Sequence, residues 1–354
     1  MESAIGTEMP TLSLRNSPRG PTGFLFRRLP MSIGYHCVSD SRQPHIAHVL
    51  DCKTSIQFEC DLRWIAGSGP VLEYDEIAAG RRSGDRFPGG SFHLSFDDGF
   101  AESATVIAPI LRRHKMPATF FLTTDFLDNR RLFHRNLISL CIERLRLASS
   151  AEEADLRRRI EASVDRTFPS SESLVRWLRH LYQDKADEIE CAASVLGIDS
   201  NVFLRERRPY LTREQARQLA DDGFTLGAHS ISHPRMRLMG SPEAIEHEIT
   251  ESCRIVADLA GTSQVPFSLP FGASRLSRRR LEDIQRRNPV VGCLFNATGI
   301  GDDGLLINRV MADDPRGAGG RDSNLPGLIR RAWLRGGIKR AKVGLRRIAA
   351  GARP

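Results

Sequence analysis

The chain has 354 residues, of which 40% are hydrophobic and 27% charged, so it can bury the core of one large α/β domain or of two smaller ones. Its formal charge of +8 favours anionic surroundings, but arginine is spread along the whole sequence, which argues against nucleic acid as a partner. No apolar run approaches the roughly 20 residues of a membrane span, so no membrane-spanning helix is expected.

The N-terminus and the cysteines together indicate a cytoplasmic protein. Residues 1–23 are polar, rich in Pro, Gly and Ser, and lack the apolar stretch and cleavage site of a signal peptide, so we expect a disordered leader there. The seven cysteines are odd in number, scattered and free of any C-x-x-C pair. That pattern argues against a disulfide framework or a zinc ribbon and predicts reduced thiols in a cytosol.

Strand and helix patterns alternate over residues 24–131. The predicted strands are 31–36, 72–79 (with a turn), 92–96 and 118–123, and the predicted helices are 55–67 and 101–114. A buried strand, a helix and a second buried strand in succession are typical of a parallel sheet. The N-terminal half therefore predicts an α/β fold.

The pattern changes over residues 132–204, which are charged, amphipathic and free of strand signals. We interpret them as a helical insertion that forms a lid or a lateral subdomain. The α/β pattern returns over residues 205–314, where Thr212 and Gln215 form a predicted capping box that starts a helix. Further predicted elements are a strand at 224–228, helices at 241–260 and 276–287, and strands at 290–295 and 305–310.

The segment Ser95-Phe96-Asp97-Asp98-Gly99 places two adjacent carboxylates at the end of a predicted strand. Burying such a pair is costly unless a cation or a neighbouring base keeps it charged. The alternative is an ordinary Asp-Asp-Gly turn on the surface, since Asp and Gly are frequent in turns. Histidines far downstream favour a functional site over a turn.

Those histidines are His229 and His233, which follow another predicted strand. Because they are four residues apart, we expect both rings on the same side of a helical turn, where they can reach one ion. Histidine and carboxylate at three positions form the usual ligand set of a catalytic divalent ion. Zinc is the favoured metal, and cobalt, nickel or iron would also suit these ligands. His36, at the end of the first strand, is either a further site residue or a buried structural histidine.

These segments resemble the NodB-homology polysaccharide deacetylases. Residues 95–99 match the family's (T/S)FDDG motif, and the segment His229-Ser-Ile-Ser-His233 matches its H(S/T)xxH motif. Pro270-Phe271-Gly272 is similar to the family's P-(Y/F)-G loop, and Tyr35-His36 resembles one branch that has intracellular members. The resemblance covers roughly residues 31–130 and 208–311.

The resemblance implies a distorted (β/α) barrel of about seven strands, interrupted by the helical insertion, with a divalent metal at the strand C-terminal ends. It implies that Asp98, His229 and His233 hold the metal, and that Asp97 is the general base on a metal-bound water. It further implies that the loop Pro270-Phe271-Gly272 helps to bind the oxyanion through the N–H near Phe271. The implied reaction converts an N-acetylated saccharide into an amino sugar and acetate.

Two positions depart from the family pattern. An arginine that often pairs with the catalytic aspartate is replaced here by Phe267, and the late histidine that often acts as general acid is absent from residues 306–310. We hypothesise that His36 supplies that acid from the first strand. Two other functions stay open, namely an amidase of the same fold acting on a non-sugar C–N bond and a catalytically silent carbohydrate-binding protein.

Residues 315–354 form a basic tail in which apolar residues are interspersed from Leu328 onwards. Such a segment either lies on anionic lipid, which would place the enzyme peripherally at the inner face of a membrane, or is a flexible basic terminus.

Overall fold

Seven parallel strands pair in sequence order and close into a barrel, because the last strand pairs with the first. The computed structural model describes residues 30–85, 87–297, 299–300, 304–313 and 324–334. The predicted leader lies outside these residues. The strands are β1 Met31–Tyr35, β2 Phe92–Phe96, β3 Thr119–Leu122, β4 Thr225–Ala228, β5 Val265–Ser268, β6 Val291–Asn296 and β7 Leu306–Met311. The predicted seven-stranded α/β barrel is confirmed.

Helices surround the barrel and fill the long connection between β3 and β4. They are α1 Ser55–Ser68, α2 Tyr74–Ser83, α3 Ala108–His114, α4 His134–Leu147, α5 Ser150–Val164, α6 Ser171–His180, α7 Ala186–Val195, α8 Ser200–Arg207, α9 Arg213–Asp221, α10 Pro242–Ala260 and α11 Arg278–Arg287. The capping box of Thr212 and Gln215 at the start of α9 is present as expected. Gly261, in a left-handed conformation, ends α10.

One prediction in this part of the chain is wrong. Residues 72–79 were expected as a strand and turn, but Tyr74 begins the helix α2. Glu73 and Glu76 form a reciprocal capping box there, and this local signal outweighs the short apolar run that favoured a strand. Tyr74 and Ile77 of this helix pack in one apolar cluster with Phe121 and Phe295 from the strands.

The alternation of side chains along the strands places polar groups in the barrel interior, beside the rings of Phe121 and Phe295. On β2, Phe92, Leu94 and Phe96 belong to the large apolar cluster shared with the helices, so His93 and Ser95 face the other way, into the barrel. On β7 the same alternation turns Arg309 inward, where it is fully buried. These buried polar groups lie beneath the carboxyl ends of the strands, where the site is built.

The helices α4 to α8 form a subdomain with its own apolar cluster, which also includes Phe100 and Tyr210 from the barrel loops. The Tyr210 hydroxyl donates to Asn136 Oδ1 at 2.6 Å and accepts from the Phe133 N–H at 3.1 Å. Phe133 in turn lies 4.4 Å from the ring of His233. The subdomain therefore contacts the predicted metal ligands directly.

Part of the predicted basic tail packs on the barrel. Residues 325–334 are helical, and Leu325, Leu328 and Ile329 are buried against the barrel core. These side chains are therefore not exposed for lipid contact. Residues beyond 334 lie outside the described part of the chain, so lipid contact through them stays a prediction. None of the helices in the described ranges combines the length and apolar character needed to cross a bilayer.

Candidate metal and catalytic site

Asp97 and Asp98 lie directly after β2 and are both buried. The Asp97 N–H donates to the carbonyl of Tyr35 on β1, which continues the strand pairing by one residue. Asp98 and Gly99 then adopt positive φ values of 74° and 76°. Asp tolerates this left-handed region better than most residues and Gly freely, so the chain turns sharply and the two carboxylates diverge.

His229 and His233 follow β4, but no helical turn joins them, so the predicted helical spacing is wrong. Ser230 and His233 have positive φ values of 69° and 56°, and the segment is an irregular loop. Glu248 on α10 holds this loop by accepting hydrogen bonds from the N–H groups of Ile231 and Ser232, at 2.8 and 3.0 Å, and from the Ser232 hydroxyl. Both imidazoles reach the same point because the loop folds back.

The side chains of Asp98, His229 and His233 converge within 4.8 Å of one another. Asp98 Oδ1 lies 3.1 Å from His233 Nε2 and 3.5 Å from His229 Nε2, and the two Nε2 atoms are 3.1 Å apart. Asp98 Oδ1 is buried with no hydrogen-bond partner in the described part of the chain. A buried carboxylate oxygen facing two imidazole nitrogens fits a divalent cation, which would satisfy all three atoms at once.

The hydrogen bonds and charges around these ligands suit metal binding. His229 donates from Nδ1 to the carbonyl oxygen of Ser268 at 2.8 Å, which leaves its Nε2 free to bind a cation. Burial lowers the pKa of His229 to about 4, so the ring is neutral at pH 7. Burial alone would raise the pKa of Asp98, but the neighbouring histidines, His233 foremost with smaller contributions from His36 and His229, together outweigh it and hold that pKa well below the ordinary value.

Asp97 has a different partner, the fully buried Arg309 on β7. The two guanidinium NH groups donate to the two carboxylate oxygens of Asp97, each at 2.7 Å. They also donate to the hydroxyls of Ser95 at 3.0 Å and Ser268 at 2.6 Å. Burial opposes ionisation of Asp97, but the charge and hydrogen bonds of Arg309, together with contributions from His229 and His36, outweigh it and hold the pKa of Asp97 below its ordinary value.

His36 ends β1 and pairs with Asp313, which follows β7. Its Nδ1 lies 2.9 Å from Asp313 Oδ1, and the backbone N–H of His36 donates to the other oxygen of the same carboxylate. Burial alone would lower the pKa of His36, but the charge and hydrogen bond of Asp313, together with the charges of Asp98 and Asp97, outweigh it and raise that pKa to about 10. The side chain of His36 is 17% exposed, so the ring is not sealed in the core.

The loop Pro270-Phe271-Gly272 follows β5 and lies beside the ligands. The ring of Phe271 is 5.0 Å from that of His233. Phe271 has a positive φ of 55°, and its N–H makes no hydrogen bond among the described residues. A turn with a free N–H next to the metal ligands provides a candidate oxyanion donor.

Three residues with roles at this site were missed by sequence reasoning, namely Arg309, Asp313 and Glu248. Arg309 carried the clearest signal, because an arginine in the mostly apolar segment 306–311 needs a buried partner. Asp313 and Glu248 carried none, since an Asp after a strand and a Glu within an amphipathic helix are both common on surfaces.

Comparisons with known proteins agree with this geometry. A family model described as "Polysaccharide deacetylase" matches residues 84–168 and 170–287, more than half of the chain. A search of the curated proteins gave no match. Among solved structures, the Streptococcus pyogenes deacetylase PplD in complex with acetate is similar at 14% identity and a TM-score of 0.53, with 86% of this chain and 97% of that chain covered. IcaB from Ammonifex degensii is similar at 15% identity and a TM-score of 0.50, with coverages of 85% and 96%. These structures share the fold.

Proposed function

The chain belongs to the polysaccharide deacetylase family and is a hydrolase of non-peptide carbon–nitrogen bonds, and we propose that it removes N-acetyl groups from a saccharide with the help of a divalent metal ion. The observation that carries this proposal is the convergence of Asp98, His229 and His233 beside Asp97. Two imidazoles and one carboxylate leave open coordination positions, as catalytic sites require, and zinc suits these ligands best.

The metal ion, when bound, supplies Lewis acidity that makes water nucleophilic at neutral pH and polarises the acetamide carbonyl. Asp97 is the general base in this proposal. It is ionised at neutral pH, and its two oxygens are held in place by Arg309. The pairing lowers the basicity of Asp97, but it fixes the orientation of the carboxylate towards the site, which favours proton transfer.

His36 is the general acid, and it donates a proton to the nitrogen of the departing amino sugar. Asp313 holds its Nδ1, which leaves Nε2 for the substrate, and the raised pKa keeps the ring protonated at neutral pH. The free N–H of Phe271 stabilises the negative charge that develops on the acetamide oxygen. Each of these groups is supplied by a loop at the carboxyl end of a different strand.

Replacing Asp313 by asparagine is expected to move the basic limit of activity to lower pH. Without the charge and hydrogen bond of Asp313, the effect of burial is no longer offset, and the pKa of His36 falls from about 10 towards or below its ordinary value of 6.5. At pH 8 most of the acid form is then lost, and kcat/KM should fall about 10²-fold, but much less at pH 6. Acetate release measured from pH 5 to 10 checks this shift.

Asp40→Asn is the matched control, because Asp40 lies near the same strand end but is exposed, and its hydrogen-bond partner among the described residues is Ser55. Its profile should coincide with the wild type. A His36→Ala variant should lose activity across the whole pH range. If His36→Ala retains wild-type turnover, His36 is not the acid.

The proposed reaction is tested by acetate release from a panel of N-acetylated oligosaccharides, with N-acetylated amines that are not sugars as the comparison set. We expect release from the sugars only, and a loss of about 10²–10⁴-fold in the Asp97→Asn variant because the base is gone. Release from the non-sugar amides alone would contradict the proposal and favour the amidase. Release that is unchanged in Asp97→Asn would remove Asp97 from the mechanism.

A further inference from the structure

A groove of about 470 Å³ lies beside the site, between the helical subdomain and the loop that follows β4. This volume falls within the roughly 300–1,000 Å³ that is usual for small-ligand sites. Trp177 and Tyr182 line it from the subdomain, and Arg235 and Arg237 line it from the loop. Nothing in the proposed reaction uses these residues.

The side chains of Arg235 and Phe271, which contact each other, lie between the groove and the proposed metal ligands. The Arg235 guanidinium lies 3.8 Å from the ring centroid of Tyr182 and 5.2 Å from that of Phe271. Phe271 in turn packs 5.0 Å from His233. Arg235 is also only two residues beyond His233 in the chain. A sugar chain with one residue at the metal would therefore place a neighbouring residue at the groove.

The lining carries an excess of positive charge. Its positively charged residues are Arg166, Lys185, Arg235 and Arg237, and its negatively charged residues are Asp184 and Glu188. Lys185 and Glu188 pair with each other at 2.8 Å, which leaves the carboxylate of Asp184 against the guanidinium groups of Arg166 and Arg237. Within the described ranges, Arg166 and Arg237 form no ion pair. Exposed arginines with unused guanidinium groups are suited to carboxylate and phosphate oxygens.

The groove also offers an aromatic surface. Trp177 is half-buried, and its ring is fixed by Phe168, whose centroid lies 5.0 Å away. A rigid indole of this kind packs against the apolar face of a ring, while neighbouring charges orient the polar substituents. The combination of a fixed aromatic ring with several arginines suits an acidic sugar better than a neutral one.

We propose that this groove is a subsite for an anionic part of the glycan, a sugar carboxylate or a phosphate, adjacent to the residue that loses its acetyl group. The inference rests on the proposed function and names the substrate class of the same site. Arg166, Arg235 and Arg237 contact the anionic group, and Trp177 packs against the sugar ring. The overall charge of +8 favours the approach of such a polymer.

The test measures binding without turnover, by calorimetry on full-length protein treated with a chelator. Three probes are used, namely a neutral tetrasaccharide of N-acetylglucosamine, a tetrasaccharide alternating glucuronic acid with N-acetylglucosamine, and N-acetylglucosamine 1-phosphate. We expect at least one anionic probe to bind about tenfold more tightly than its neutral counterpart, N-acetylglucosamine being the counterpart of the phosphate. The two anionic probes distinguish a carboxylate from a phosphate ligand.

The double variant Arg166→Gln/Arg237→Gln should lose this preference, whereas Arg205→Gln, an exposed arginine of α8 outside the groove, should keep it. Trp177→Ala should weaken neutral and acidic probes alike. Equal affinity of anionic and neutral probes in the wild type, or a preference that persists in the double variant, overturns the subsite. Acetate release by the metal-loaded protein is measured separately, so failure of the reaction is distinguishable from failure of the subsite.

Discussion

Replacing Asp98 or His233 by alanine is expected to abolish metal binding and to reduce acetate release to background. The ligand atoms of Asp98, His229 and His233 lie within 4.8 Å of one another, and removal of any one leaves two ligands for an ion that prefers at least three. Without metal, water has a pKa near 15.7 instead of about 7, so we expect a loss on the order of 10³-fold or more. Metal content by mass spectrometry and acetate release together check this.

The matched control is His247→Ala, because His247 is exposed in mid-helix on α10 and removal of its imidazole leaves the site intact. It should retain about one equivalent of metal. The metal itself is identified by reconstituting the wild type with zinc, cobalt, nickel or iron and comparing activities. If the wild type takes up no divalent metal, the proposed mechanism is wrong.

Replacing Arg309 by methionine is expected to destabilise the fold and to reduce catalysis. Arg309 makes four hydrogen bonds in the barrel, two of them to Asp97, so its loss leaves a buried carboxylate without its cation. Breaking a buried pair in this way costs about 3–5 kcal/mol in the free energy of unfolding. With Asp97 no longer oriented, acetate release should fall about 10²-fold. Urea unfolding followed by circular dichroism, together with acetate release, measures both effects.

Two further variants separate charge from packing. Arg286→Met removes an exposed arginine that pairs with Asp283 at 2.6 Å, and it should change the free energy of unfolding by at most about 1 kcal/mol. The double variant Asp97→Asn/Arg309→Met neutralises both buried partners, so it should recover part of the stability but none of the activity. An Arg309→Met protein that unfolds at the wild-type urea concentration would show that the pair contributes nothing to stability.

The fold and the convergence of the candidate ligands were predictable because they depend on local patterns. Alternating strand and helix signals predict a parallel sheet, the family resemblance implies that it closes into a barrel, and the carboxyl ends of the strands meet at one rim. Asp97, Asp98, His229 and His233 all lie immediately after such strands, so their convergence follows from topology. The capping box of Thr212 is equally local, and it appears where the sequence places it.

What was not predictable depends on contacts between distant segments. The arginine expected before the Pro-Phe-Gly loop is Phe267 on β5, yet Arg309 on β7 contacts Asp97 instead. All strands of a barrel direct alternate side chains into one interior, and on β5 the inward residue is Ser268, whose hydroxyl accepts from Arg309. A cation on β7 can therefore reach a carboxylate at the end of β2 although the two strands are not adjacent. A family motif that specifies an arginine at one position of the sequence does not show that an arginine on another strand contacts the same aspartate. Related chains that lack the arginine at its usual position should therefore not be classed as inactive on that ground alone.

The pairing of β7 with β1 also determines when the protein becomes active during its synthesis. His36 and Asp313 are 277 positions apart in the chain, and Arg309 is 212 positions after Asp97. A ribosome must therefore release the chain through Asp313 before the proposed acid and base acquire their partners. Closing so long a loop is slow, because distant segments must meet before their contacts stabilise them. We therefore expect no active intermediate in the nascent chain, because catalysis by the proposed acid and base requires the closed barrel.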